Sequence, residues 1–249
     1  MNKIDIRLGL INENLRNIKN KLVVLSPKGG VGKTTFSFIL SIYLSKKNKK
    51  IGVWDLDITN PNLHIFFNSN LKFIESNGIE PPILYNNIKF LSITQFFDND
   101  ILDNTSISLR GRNISEIILE LLTITNWGDL DFLIIDTPPT LTDTFLDLLK
   151  YISKSYFIII STNSILSVKS TIRILNFFKK MEIIPLALVI NDLENLEDFR
   201  PEYYNIKKEF NLLYLLKIKY IKDIQNYYGK DNILENIDIK SFDDIFLKI

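Results

Sequence analysis

The sequence predicts an α/β fold, with a mostly parallel, twisted sheet and helices on both faces. Two observations support this prediction. Short apolar runs that suit buried strands alternate with longer stretches in which apolar residues recur at helical spacing. Such alternation is typical of parallel sheets, because parallel strands are joined by crossovers that are usually helices. The predicted strands are 22–26, 51–55, 132–136, 156–161 and 183–190, and the predicted helices are 34–47, 113–125 and 164–180.

The composition is that of an ordinary globular chain, with 46% hydrophobic and 24% charged residues among 249. Thirty basic residues balance 29 acidic ones, so no overall positive field favours nucleic acid. The chain has no cysteine, which excludes disulfides, thiolate metal ligands and cysteine nucleophiles. The first residues lack a signal-peptide core, and the longest apolar run, 156–160, is too short to span a bilayer. We therefore expect a cytoplasmic protein.

The segment PKGGVGKTT, residues 27–35, lies between a predicted strand and a predicted helix. A strand, a glycine-rich turn and a helix start form a phosphate-binding loop, whose amide groups and helix dipole face the negative charge. The strict pattern begins with glycine, and Pro27 stands there instead. The fold expected with this loop is a single-domain P-loop NTPase that binds ATP and Mg²⁺. The predicted nucleotide-binding residues of the loop are Gly29, Gly30, Val31, Gly32, Lys33, Thr34 and Thr35.

Two other strands end in carboxylates. The segment GVWDLDITNP carries Asp55 and Asp57 at the end of the second predicted strand. The segment LDFLIIDTPP ends a third apolar strand in Asp136, which predicts a Walker B acid that binds Mg²⁺ opposite the Thr34 hydroxyl. Two prolines follow Asp136 and keep the next residues out of a helix, as a segment responding to the γ phosphate requires. Asp143 is a candidate member of that switch segment.

The string KGGVGKTT resembles the deviant phosphate loop of the MinD/ParA superfamily of ATPases. The resemblance implies that Lys28 crosses a dimer interface and contacts the phosphates bound by the other subunit, while Lys33 serves its own nucleotide. It also implies that Asp57 positions the attacking water and that Asp55 lies nearer the Mg²⁺ site. Asn191, after the fifth predicted strand, matches the asparagine that binds adenine in this superfamily. Lys28, Lys33 and Asp57 are thus the predicted catalytic residues, and Thr34, Asp55 and Asp136 the predicted metal site.

Longer strings resemble the Mrp branch, the iron–sulfur cluster carriers and scaffolds. They are KLVVLSPKGGVGKTTF, IGVWDLDITNPNLHIFF, LRGRNISEIILELL and NWGDLDFLIIDTPPTLTD. The match covers about residues 18–190. We expect one domain, 1–249, with an N-terminal extension at 1–20 and a divergent C-terminal part at 191–249. The branch uses paired cysteines after the adenine-binding strand, and this chain has none there. His64 is its only histidine, so we expect no iron–sulfur cluster on this chain alone.

Three functions are compatible with these patterns. The first is a slow Mg-ATPase that acts as a nucleotide-gated homodimer, or as a heterodimer with a cysteine-bearing paralogue, on a protein client in iron–sulfur cluster assembly or metallocentre maturation. The second is a positioning ATPase that binds DNA or membrane when dimeric. The third is a nucleotide-binding regulator with little hydrolysis. The last helix carries Phe242, Ile245, Phe246 and Ile249 at helical spacing beside two aspartates. We therefore expect it to pack on the domain and not on anionic lipid.

Overall fold

The computed structural model describes residues 7–58, 60–96, 114–140, 143–152, 154–193 and 198–249. Within these ranges, seven strands form one sheet in which every neighbouring pair is parallel, in the order β5-β2-β6-β1-β7-β8-β9. They are β1 (Ile18–Leu25), β2 (Ile51–Asp55), β5 (Ile88–Ser92), β6 (Leu130–Asp136), β7 (Ser155–Thr162), β8 (Ala187–Asp192) and β9 (Tyr214–Lys219). Two short strands, β3 (Ile74–Ser76) and β4 (Gly78–Glu80), pair antiparallel. The predicted α/β fold is confirmed.

Helices cover both faces of the sheet. They are α1 (Arg7–Leu15), α2 (Lys33–Lys46), α3 (Leu63–Phe66), α4 (Ile114–Ile124), α5 (Asp143–Tyr151), α6 (Ile165–Lys180), α7 (Pro201–Glu209) and α8 (Ile239–Phe246). Alternate residues of β1 point to opposite faces. Accordingly Val23 packs with the core beneath α1, α4, α5, α6 and α7, while Val24 packs with the core beneath α2 and α8. None of the helices among the described residues is long and apolar enough to cross a membrane.

The five predicted strands are present: β2 has the predicted ends, 51–55, and the other four have shifted ends. β1 starts at Ile18, so residues 18–20, predicted as the end of the N-terminal extension, lie in the central strand. β8 starts at Ala187 and not at residue 183, because Ile183 still donates to Phe178 of the preceding helix and Pro185 has no amide to donate. Ser164 caps α6 as predicted, with its hydroxyl accepting from the Ser167 amide. The predicted start of α4 at residue 113 lies outside the described residues.

The sequence did not predict β5 and β9, the two edges of the sheet. β5 reads IKFLS and β9 reads YLLKIK, and in both a lysine interrupts the apolar run. An edge strand has one neighbour, so it tolerates polar residues that a central strand excludes. The predicted packing of the C-terminal helix is confirmed: Phe242, Ile245 and Phe246 of α8 are all buried.

Candidate functional site

The phosphate loop joins the end of β1 at Leu25 to the start of α2 at Lys33. Gly30 and Gly32 have φ angles of 75° and 92°, in the left-handed region that glycine adopts without strain. Gly32 has a second reason to be glycine, because a Cβ there would lie 2.2 Å from Nδ2 of Asn191. That Nδ2 atom donates to the Val31 carbonyl oxygen at 3.0 Å. Asn191, in β8, therefore lies directly against the loop.

The Asp136 carboxylate, at the end of β6, is the centre of the site. It is 1% exposed, and Nζ of Lys33 lies 2.9 Å from its Oδ1 atom. The Thr34 hydroxyl donates to Oδ2 at 2.9 Å, and the Ser37 hydroxyl donates to Oδ1 at 2.9 Å. The structure thus brings together the lysine, the threonine and the Walker B acid that the sequence predicted separately.

The sequence patterns did not indicate that Ser37 is a residue of the site. It follows Lys33 by four residues, which places both side chains on one face of α2. Helical spacing could have indicated that this hydroxyl faces the same strand end as Lys33. Serine inside an apolar helix is common enough, however, that spacing alone did not single it out.

Asp55 ends β2 and is the register partner of Asp136 on the neighbouring strand. It is 1% exposed, and burial, followed by the charge of Asp136, raises the pKa of Asp55 to about 8. Its oxygens accept from two backbone amides, that of Asp57 at 3.2 Å and that of Leu63 at 3.0 Å. Asp55 therefore holds the Asp57 and Leu63 amides in place, and its raised pKa favours the neutral carboxyl beside Asp136.

Asp57 lies two residues beyond β2 and is half-buried. Its Oδ1 atom accepts from the Asn60 amide at 3.3 Å. A cavity of about 370 Å³ opens between this segment and the phosphate loop. Its lining comprises Ser26, Gly29, Gly30, Gly32, Lys33, Thr34, Thr35, Asp57, Asn60, Asn62, Phe66 and Pro139. Asp57 and the predicted loop residues other than Val31 thus face the same space, whereas Val31 is buried in the core.

The residues after Asp136 are tied to the base of the phosphate loop. The Thr137 hydroxyl donates to the Val24 carbonyl at 2.9 Å, and the Thr140 amide donates to the Ser26 carbonyl at 3.0 Å. Thr140 has a φ of 71°, a left-handed conformation that is strained for a β-branched residue. The segment after the Walker B acid is therefore non-helical, and its backbone is strained at Thr140. The side chain of Asp143, the other candidate in this segment, lies outside the described part.

Lys28 lies on the same loop, half-buried, with its carbonyl oxygen accepting from the Ser26 hydroxyl at 3.0 Å. Within the described ranges its ammonium group forms no ion pair, whereas that of Lys33 is held by Asp136. The two lysines of the loop therefore differ in surroundings: Lys33 is anchored by Asp136 inside the site, and Lys28 precedes Gly29, a residue that lines the cavity.

The described residues contain no group of three or more His, Cys, Asp and Glu side chains that could hold a metal ion. Thr34 and Asp136 are instead a pair of hard oxygen donors joined by one hydrogen bond. Hydroxyl and carboxylate oxygens suit Mg²⁺, which takes few protein ligands and keeps several waters. The residues present therefore fit a magnesium ion that is shared with phosphates.

Comparison with known proteins agrees with this geometry. Residues 17–210 match the ParA family model described as NUBPL iron-transfer P-loop NTPase. The chain is 34% identical over 225 residues to the iron–sulfur cluster carrier protein of Rickettsia typhi, which covers 90% of this chain and 68% of that relative. It is 35% identical over 193 residues to the cytosolic Fe-S cluster assembly factor NBP35 of Kluyveromyces lactis, which covers 75% of this chain and 58% of that relative.

Among solved structures, a nucleotide-binding protein from Archaeoglobus fulgidus in complex with ADP has a TM-score of 0.74 to this chain. The likeness covers 96% of each chain at 23% identity, and at that identity it bears on the fold alone. The fold and the phosphate loop define a P-loop NTPase. The chain belongs to the ParA family of NUBPL-type iron-transfer P-loop NTPases. The predicted resemblance to the MinD/ParA superfamily and to iron–sulfur cluster carriers is confirmed.

Proposed function

We propose that this chain is a slow Mg-ATPase that acts as a nucleotide-gated dimer on a protein client in iron–sulfur cluster assembly. The observation that carries the proposal is the convergence of Lys33 and Thr34 on the buried Asp136 carboxylate. A bound Mg-nucleotide requires these same three side chains, with the loop lysine on the phosphates and the loop hydroxyl and the carboxylate on the metal.

Each predicted binding residue has a place in this proposal. The loop amides of residues 29–32 and the start of α2 receive the phosphates, and Lys33 turns from Asp136 to the β and γ phosphates. Thr35 contacts the α phosphate, and Asn191, held against Val31, binds the adenine edge through its amide. Mg²⁺, when bound, neutralises phosphate charge and orients the γ phosphate. Thr34 and Asp136 would hold it, and the Asp55 carboxyl lies beside Asp136 on the neighbouring strand.

In the proposed hydrolysis, the side chains of the site accelerate the reaction mainly by positioning the attacking water and the γ phosphate. A water oxygen forms a bond to the γ phosphorus, the bond from that phosphorus to the bridging oxygen breaks, and ADP leaves with the bond's electron pair. Asp57 lies on the same cavity wall as the loop and orients this water. Its carboxylate accepts the water's proton on the way to inorganic phosphate.

In the proposed dimer, Lys28 couples dimerisation to the binding of nucleotide. An ammonium group at the rim of the site can reach phosphates bound by a second subunit, and there it neutralises charge that develops during phosphoryl transfer. Dimer closure and turnover then depend on the same side chain. The partner is a second copy of this chain or a cysteine-bearing paralogue.

The proposed role of this chain in iron–sulfur cluster assembly is based on its family and on the named relatives. The chain itself has no cysteine, so in this proposal a cluster is bound only through ligands of a partner or client. The named relative from Kluyveromyces lactis is a cytosolic assembly factor, and we place this protein in the cytoplasm by the same argument. The membrane form of the positioning hypothesis is less well supported, since the apolar side of α8 is buried in the core and is not offered to lipid.

Substitution of Lys28 tests the proposal. Lys28→Ala should still bind one ATP per chain, because Lys33 and the loop amides remain, while ATP-dependent dimerisation and turnover both fall. Removal of one charge-stabilising group typically costs about 10²- to 10³-fold in turnover. The matched control is Lys222→Ala, an exposed lysine in the turn after β9. Sedimentation velocity with and without Mg-ATP, together with phosphate release, measures both properties.

Three outcomes decide between the hypotheses. A wild-type protein that binds ATP without hydrolysing it supports the regulator. ATP-dependent retention on anionic vesicles or duplex DNA supports the positioning ATPase. Unchanged dimerisation and turnover in Lys28→Ala would show that this lysine does not act across an interface.

A further inference from the structure

Ser37 is a buried polar residue in the middle of an apolar helix. It is 0% exposed, and its neighbours along α2 include the buried Phe36 and Phe38. Its hydroxyl oxygen lies 3.3 Å from the Lys33 carbonyl and 2.9 Å from Oδ1 of Asp136. A hydroxyl has one proton to donate, and a hydrogen bond to a charged acceptor is roughly twice as strong as one between neutral groups. The Ser37 hydroxyl therefore donates its hydrogen bond to Asp136 and not to the Lys33 carbonyl.

Ser41, one helical turn further along α2, is a buried serine whose hydroxyl bonds only within its own helix. It is also 0% exposed, and its hydroxyl donates to the Phe38 carbonyl at 2.7 Å. Ser37 has a comparable carbonyl available in Lys33 and nonetheless points to the carboxylate. The difference between two serines of one helix indicates a role beyond the needs of the helix.

The other two donors to Asp136 have second tasks in the proposed function. Lys33 turns to the phosphates, and Thr34 gives its hydroxyl oxygen to Mg²⁺. Ser37 has no second task, so it is the donor that remains on Oδ1 when nucleotide is bound. A carboxylate that loses its donors is free to rotate, and it then no longer presents one defined oxygen to a metal ion.

We infer that Ser37 is a positioning residue that holds Oδ1 of Asp136 and so keeps Oδ2 on the side of Thr34, where Mg²⁺ binds. This inference rests on the proposed function, because it assigns Ser37 to the metal side of the same site. It predicts that the loss of the Ser37 hydroxyl weakens the contribution of Mg²⁺ to ATP affinity more than it weakens ATP binding in general.

The test compares ATP dissociation constants measured by calorimetry in excess Mg²⁺ and in excess EDTA. The ratio of the EDTA value to the Mg²⁺ value should fall about tenfold in Ser37→Ala, since loss of a group that orients a metal ligand costs about 10- to 100-fold in metal affinity. Ser41→Ala removes an equally buried hydroxyl from the same helix and should keep the ratio within about twofold of wild type. Ser37→Thr retains a hydroxyl and should restore most of the ratio.

Thermal unfolding of each variant shows that the measured chains are folded. A Ser37→Ala ratio equal to that of wild type overturns the inference and leaves the proposed function intact. Equal losses in Ser37→Ala and Ser41→Ala also overturn it, because the effect would then belong to helix packing. A wild-type chain that binds no ATP in Mg²⁺ overturns the proposed function and the inference together.

Discussion

Two regions of the molecule are built on different physical principles. The phosphate-binding end, residues 26–37, 55–58, 60–63 and 136–140, is held by hydrogen bonds among buried polar groups, with Asp55 and Asp136 each accepting at least two. The C-terminal region, residues 198–249, is held mainly by apolar packing. Phe242 of α8, for example, lies against the rings of Phe36 and Tyr43 at centroid distances of 6.1 and 5.1 Å.

The difference shows which changes affect chemistry and which affect stability. A buried polar group that is left without its hydrogen-bond partner lowers the free energy of unfolding by about 1 to 3 kcal/mol. Every hydrogen bond at the phosphate-binding end therefore constrains its neighbours. An apolar contact tolerates other side chains of similar volume. The two regions meet along α2, which carries Lys33 and Thr34 at its start and packs Phe36 and Tyr43 against α8. The C-terminal region therefore supports the helix that the nucleotide uses, although it lines no part of the described phosphate cavity.

The largest expected effect is at the phosphate-binding end. Asp57→Ala should keep nucleotide affinity and lower turnover by about 10²- to 10⁴-fold, since it removes a group that acts on the attacking water. Its matched control, Asp244→Ala, removes an exposed carboxylate of α8 that pairs with Lys248, and turnover should stay within about twofold of wild type. Phosphate release under saturating Mg-ATP measures both.

A trapped intermediate gives Asp57→Ala a second readout. If the dimer closes over ATP and hydrolysis opens it, this variant should accumulate as a nucleotide-bound dimer in sedimentation. Turnover equal to wild type would remove Asp57 from the proposed mechanism. An equal loss in Asp244→Ala would remove the contrast between the two regions.

Phe242→Ala should act on stability instead. Truncation of a fully buried phenylalanine costs about 3 to 5 kcal/mol in the free energy of unfolding, and Phe242 is 1% exposed. The control, Leu247→Ala, changes a side chain at the end of the same helix that is 41% exposed, and should cost less than about 0.5 kcal/mol. Urea denaturation measures both. A stable Phe242→Ala variant that fails to bind ATP would show that the C-terminal region belongs to the site.

The sequence predicted the phosphate-binding end better than the C-terminal region, for a physical reason. Lys33, Thr34 and Asp136 stand in fixed spacings next to apolar strands, and a parallel sheet must bring the ends of β1 and β6 together. The roles of Ser37 and of the Asp55 oxygens depend on which donors surround them in three dimensions, which spacing does not determine. The edge strand β9 was missed because Lys217 and Lys219 break its apolar run.

The smallest expected signal concerns the cluster. The paired cysteines of the carrier branch would fall between β8 and β9, and there α7 instead buries Tyr203, whose hydroxyl donates to the Thr162 carbonyl at 2.5 Å. A phenol and a helix packed on the sheet offer no soft ligand to iron. Anaerobic reconstitution of the purified chain with iron and sulfide should therefore leave no stable cluster, as measured by bound iron, bound sulfide and visible absorption.

The Rickettsia typhi carrier, treated identically, is the positive control. If co-expression with a cysteine-bearing paralogue yields a cluster that the paralogue alone does not retain, the heterodimer is the working form. Stoichiometric iron and sulfide on the isolated chain would instead show that oxygen or nitrogen ligands suffice and that a cluster does not need the ligands of a partner or client.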